Sequence, residues 1–358
     1  MLNRLFCASV LVLGSGGAAL AQGAAAPGAS CALPSIAASA SLNEIPESNL
    51  MTVAVEINGK PKAFLLDIST DPMEISDAAV TELALPAVNP TIDSTQFDMQ
   101  MGPTGTGIAS TVQSISAPVY DTKGARSRAA TRGRVRAATF TIGGATGRDM
   151  QFAVSTDSDL GKSKPYDGYM TGSFFRQYDV EIDFAGKKLN YLTPTLCDDP
   201  NKVVFWPHGA IAEVPMTMAG GKMEVSVTIE GHKIDAVVDT SSEHTVMRRD
   251  VAERLFDLKA DTPQMTPIEG LKDGMSQQVY RHTFPQISLE GITARNVPAH
   301  IQANSMIHNT HRTPVLGSRA TFAGEARIPS LTLGMDMLRQ LHLYALVKQE
   351  KLYATAAQ

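Results

Sequence analysis

The chain has 358 residues, a formal net charge of -5, 43% hydrophobic and 19% charged residues. That balance excludes a disordered chain and gives no footing for a nucleic-acid partner, which calls for a basic surface. The length suits two domains of ordinary size with short additions.

The first residues predict a secretory signal. Arg4 supplies a positive start, Leu5 to Leu13 is a short apolar run, and Ala19-Leu20-Ala21 is a small-x-small cleavage site before Gln22. The run is too short to span a membrane, and no later segment reaches about 20 uninterrupted apolar residues. Residues 1–21 are therefore expected to be removed, leaving an exported protein, periplasmic or secreted. Export also bears on the cysteines. Once the signal with Cys7 is gone, Cys31 and Cys197 remain, and an oxidising compartment favours one disulfide between them. Residues 22–47, rich in Ala, Gly, Ser and Pro up to Ser41, are expected to form a flexible arm, with strands beginning near Leu50.

From there one phrase occurs twice without a gap. Val53 to Asp67 reads VAVEINGKPKAFLLD, and Val225 to Asp239 reads VSVTIEGHKIDAVVD. Asp67 and Asp239 lie 172 residues apart, as do Gly59 and Gly231. Alternating positions from Thr52 to Ile57 predict a half-buried strand; Asn58-Gly59 predicts a hairpin turn; the apolar run Ala63 to Leu66 predicts a strand covered on both faces. Ser76 is expected to cap a helix reaching about Leu85, and Arg248 to Leu258 is its counterpart, with Val251, Leu255 and Leu258 inward. The ends of the copies correspond as well: Phe174-Phe175-Arg176-Gln177 with Met337-Leu338-Arg339-Gln340, each followed by two short strands. Pro194 to Pro200 reads as the linker. The expectation is an all-β fold with short helices, in two similar lobes at about 48–197 and 203–356. Between them in character stands Asp93 to Arg136, Gly- and Ser-rich, with six basic residues from Lys123 to Arg136; it is expected as a solvated loop or a lid with a basic rim.

A twice-made half-site can set two carboxyls face to face. At about 3 Å apart they cannot both ionise, so one holds a proton while the other acts as base toward water. Such a pair hydrolyses a peptide bond with no metal or organic cofactor. The apolar strand ending in Asp-x-Ser, the helix, and the late segment Leu333-Gly334-Met335-Asp336-Met337-Leu338 resemble the retropepsin-like aspartic peptidases of bacteria, in a tandem, single-chain form. The looser Met170-Thr171-Gly172-Ser173-Phe174-Phe175 stands at the matching place in the first lobe, and Tyr178 to Phe184 is also typical of those relatives.

The resemblance implies a pepsin-like pseudo-dimer with Asp67 and Asp239 as catalytic residues, and active-site loops supported by Ser69, Thr240 and Ser241. A peptide or unfolded protein would lie between the lobes under flaps at about 97–115 and 265–282. The sequence departs from the pattern in three places. Ile68 stands where a hydroxyl is usual and Thr240 keeps it; Ser69 and Ser241 stand where glycine is usual; Thr171 replaces the first late glycine. These departures define an alternative, a pseudo-peptidase that binds peptide without cutting it. A third reading is an envelope assembly factor contacting its partner through residues 123–136. His308 and His311 are read as loop residues, not metal ligands, and Gly102 to Gly107 as a flap tip, not a phosphate loop.

Overall fold

The computed structural model describes residues 34–69, 72–88, 95–100, 109–112, 131–155, 157, 160–172, 178–195, 197, 199–219, 222–272, 277–303 and 329–358. The signal, Cys31, the flap tip at 102–107, the basic run 123–130 and the pair His308/His311 lie outside them.

The first lobe is built from β1 (Ile36–Glu44), β2 (Met51–Ile57), β3 (Lys60–Asp67), β4 (Glu74–Ile75), β5 (Thr95–Gln100), β6 (Ala109–Val112), β7 (Thr131–Ile142), β8 (Ala145–Ser155), β9 (Gly168–Thr171), β10 (Asp179–Asp183) and β11 (Lys188–Leu192). The second has β12 (Ala212–Ala219), β13 (Lys222–Ile229), β14 (His232–Val238), β15 (Thr245–Arg248), β16 (Thr266–Lys272), β17 (Gln278–Leu289), β18 (Ile292–Gln302), β19 (Leu331–Leu333), β20 (Leu341–Leu346) and β21 (Lys351–Ala356). Short helices α1 (Asp77–Leu83), α2 (Pro200–Val203), α3 (Arg249–Phe256) and α4 (Met335–Leu338) punctuate them.

The two lobes share one pairing plan. In the first, β2 pairs β3 and β7, β9 runs parallel to β3, and β4 lies between β8 and β9. In the second, β13 pairs β14 and β17, β19 runs parallel to β14, and β15 lies between β18 and β19. The hairpin turns follow from local chemistry. Asn58-Gly59 and Glu230-Gly231 both have positive φ at each position (51° and 76°; 46° and 82°), the type I′ geometry whose twist matches the flanking strands. Ser76 Oγ accepts from Ala79 N at the start of α1, and Ala84 ends that helix in the left-handed region, so it stops short of Leu85. In α3, Val251 is fully buried and Leu255 packs against the core.

Two expectations are corrected. Part of the arm expected to be flexible, Ile36–Glu44, is strand β1, pairing both β11 and β2. Its core face is made by Ala38, Ala40 and Leu42, side chains so small that their alternation reads as low complexity. The end of the basic segment, from Thr131 on, is strand β7 and not a loop or lid. Val135 and Ala137 face the core while Arg134 and Arg136 alternate with them. In the linker, Asp199 caps α2, with its carboxylate accepting from Asn201 N.

The lobes are joined by a six-stranded sheet in the order β1, β11, β10, β20, β21, β12. Its central pair crosses the lobe boundary. Val180 faces Ala345 and Ile182 faces Leu343. The shift of 163 residues that lays Phe174 on Met337 turns each of these pairs into the other, so the register obeys the pseudo-dyad. Behind the sheet, Glu181 Oε1 lies 2.8 Å from His342 Nε2, both buried, and Glu181 Oε2 accepts from Asn190. Trp206 stacks on His342 at 3.9 Å and donates to Thr355 Oγ1. The indole thus packs at the lobe junction.

Asp179, at the head of β10, is buried and accepts from Thr195 N. Burial pushes its carboxyl up to about 6, against the pull of that amide and of Lys348. The folded protein therefore holds this proton where the unfolded chain has lost it, and the group's contribution to stability falls as pH rises from about 4 to about 6. Asp179→Asn removes the ionisation while keeping the acceptor. Thermal melts of variant and parent should show the variant gaining relative stability between pH 4 and pH 7; parallel curves would refute the assignment.

Candidate active site

Each aspartate sits where an apolar strand leaves the sheet. Asp67 ends β3, fully buried, beside Thr171 of the parallel strand β9. Asp239 follows β14, half-buried, and its amide donates to Leu333 O. In both loops the serine two places on supplies two hydrogen bonds to one carboxylate oxygen. Ser69 N and Oγ donate to Asp67 Oδ1 at 3.2 and 2.8 Å. Ser241 N and Oγ donate to Asp239 Oδ1 at 2.9 and 2.7 Å. A glycine offers only the amide. The serines thus add a hydroxyl donor to each acid, and the two copies do so identically.

The loops meet through Thr240. Its Oγ1 accepts from Ile68 N at 3.2 Å and donates to Leu66 O at 2.9 Å, across 172 and 174 residues. Those partners flank Asp67, so one buried hydroxyl of the second lobe grips both neighbours of the first lobe's acid. Ile68 cannot return the grip. Its side chain is buried and lines a small apolar cavity with Val180, Ile182, Met218, Met223 and Leu343.

The second loop is also fastened from behind. Asp336 accepts from Thr245 N and from Thr245 Oγ1 at 2.7 Å, while Met335 N and Asp336 N donate to Ser242 O and Glu243 O. Gly334 makes this close seam possible, because a Cβ there would stand 2.2 Å from the carbonyl carbon of His244. Gly334→Ala should cost about 1–3 kcal/mol or more by forcing backbone apart. Chemical denaturation measures this, and a loss under about 0.5 kcal/mol would mean that the seam gives way easily. In the first lobe Thr171 occupies the matching place, and Met73 stands where Thr245 does.

Of the expected site residues, Thr240 makes the described contact across the lobes, while Ser69 and Ser241 each bond the aspartate of their own loop. Cys197 lies apart, buried in the cluster under the joining sheet with Leu192, Val204 and Tyr344. A depression of about 790 Å³ on the second lobe, bordered by Glu213, Glu224, Asp235 and Glu350, contains neither aspartate. Among the described residues no group of His, Cys, Asp or Glu is arranged to hold a metal, and no helix is long and apolar enough to cross a membrane. Sequence reasoning missed the His244–His300 contact behind the Asp239 loop, since the two residues are 56 positions apart with nothing to link them. The strand plan could have found it, because the parallel pairing of β15 with β18 sets Val246 beside His300.

The all-β, two-lobed fold sets one Asp-x-Ser loop from each lobe at the junction. Within the second lobe, residues 225–337 match the family model described as aspartyl protease. Among solved structures, Basic 7S globulin from soybean aligns over 90% of this chain and 95% of its own, with 10% identity and a TM-score of 0.45. A search of curated proteins found no match.

Proposed function

We propose that the chain is an exported aspartic endopeptidase, hydrolysing peptide bonds with a water held between Asp67 and Asp239. The observation that carries this reading is the Thr240 grip. It ties the two acid-bearing loops together across the lobes, in the place where a shared water needs both carboxyls fixed. The serines orient the pair, each donating from its amide and its hydroxyl to Oδ1 of its own acid. An extended peptide or unfolded chain lies between the lobes, covered by the hairpins β5–β6 and β16–β17. The purified protein should cleave a denatured protein substrate somewhere between pH 3 and 7, and a transition-state analogue of peptide hydrolysis should block it. Absence of cleavage throughout that range would end the peptidase reading.

Ile68 and Thr171 favour a second reading, a pseudo-peptidase that holds peptide without turnover. Peptide binding that survives replacement of both acids, with no product formed by the parent, selects it.

Export brings the cysteine pair with it. Ile36 pairs Leu192 and Ser35 exchanges hydrogen bonds with Thr193. The described end of the arm thus lies beside the segment that leads to Cys197, which supports a Cys31–Cys197 disulfide. Non-reducing peptide mapping should recover the linked pair, and Cys197→Ser should cost about 2–4 kcal/mol. Two alkylatable thiols in the exported protein would refute it.

A further inference from the structure

Behind the Asp239 loop, His244 and His300 touch ring to ring, with centroids 4.2 Å apart and planes tilted by 35°. His244 belongs to the loop itself, five residues after Asp239; His300 belongs to β18, beside β15. His244 Nδ1 lies 3.7 Å from Asp336 Oδ2. Asp336 is the carboxylate that holds Thr245 by both its amide and its hydroxyl, and its side chain is only 10% exposed. The groups around the pair come from every neighbouring element: Asp336 from α4, Arg281 from β17 directly across from His300, and Glu243 in the loop, engaged by Ser48 Oγ.

We propose that His244 and His300 act as a one-proton clasp that tightens the Asp239 loop in acid. The pair has room for one positive charge. On His244 that charge faces the Asp336 carboxylate and adds an ion pair to the seam that already fixes Thr245. A second proton on His300 is opposed by burial first, then by the charge on His244 and by Arg281, which together hold that ring down at about 4. A single proton on the pair is thus the state that adds the contact with Asp336. The loop bearing one catalytic acid is therefore held more firmly in the acidic range where a carboxyl pair works than at neutral pH. The catalytic consequence rests on the peptidase reading; the clasp itself does not.

Amide hydrogen exchange at Thr245, corrected for intrinsic pH dependence, tests the clasp without any assay of cleavage. Protection should rise roughly two- to fivefold from pH 7.5 to 5 in the parent, as expected of a partly exposed ion pair. His244→Gln should abolish the rise. His300→Gln should shift it to higher pH, because the opposing ring is gone. Two-dimensional NMR of the histidines should show one of them taking its proton well before the other. An unchanged rise in His244→Gln, or two histidines titrating together, overturns the proposal. If the parent fails to cleave while the exchange pattern holds, the peptidase reading falls and the clasp stands.

Discussion

Asp67→Asn and Asp239→Asn should each reduce cleavage of a denatured substrate by about a thousandfold or more, with little change in KM. The size follows from what is removed. A carboxyl pair supplies both the base that activates water and the acid that protonates the leaving amide, and loss of either role forfeits general acid–base catalysis of about 10²–10⁴. Asparagine keeps an oxygen able to accept from the serine, so Ser69 N and Oγ, or Ser241 N and Oγ, retain a partner. Folding should survive, and circular dichroism with thermal melts would establish that. Because Asp67 is fully buried and Asp239 half-buried, the amide at 67 has less water to fall back on, and Asp67→Asn should show the larger shift in melting temperature. Full activity in either variant would detach the aspartates from the chemistry.

Thr240→Val should be the most damaging change outside the two acids. Valine fills the same space but strips the acceptor from Ile68 N, a buried donor, at about 1–3 kcal/mol. It also ends the donation to Leu66 O. The loops then lose their only described cross-lobe side-chain grip on the neighbours of Asp67. A misplacement on the order of 1 Å can cost about a hundredfold in rate, and kcat should fall by about ten- to a hundredfold with the acids intact. The converse is Ile68→Thr. A threonine there can reach the second lobe as Thr240 reaches the first, and activity should rise even though apolar burial worth about 1–2 kcal/mol is given up. If Ile68→Thr only destabilises and kcat does not move, the one-sided grip is all this site needs.

Much of this arrangement could be read from the chain because local chemistry and the doubled phrase point the same way. Asn58-Gly59 and Glu230-Gly231 dictate their turns, Ser76 its helix start, and the paired apolar runs their buried strands. Thr240 is legible as a site hydroxyl only through the resemblance of its triplet to the peptidase pattern. What could not be read depends on packing. Strand β1 hides in Ala38 and Ala40, whose burial costs no bulk and leaves no hydrophobic signal. Strand β7 hides in an alternation of arginines with Gly133, Val135 and Ala137, where charge drowns the period of two. The contact of Glu181 with His342 spans 161 positions and is fixed only when β10 pairs β20.

The stacking of Trp206 on His342 has a practical corollary. This is the sole indole of the chain, and it sits where linker and joining sheet meet. Its emission is thus a built-in gauge of how the halves are seated. Prying them apart would carry the ring from an oily nook into solvent and shift its fluorescence to the red, while melting of an outlying hairpin would leave the colour unchanged.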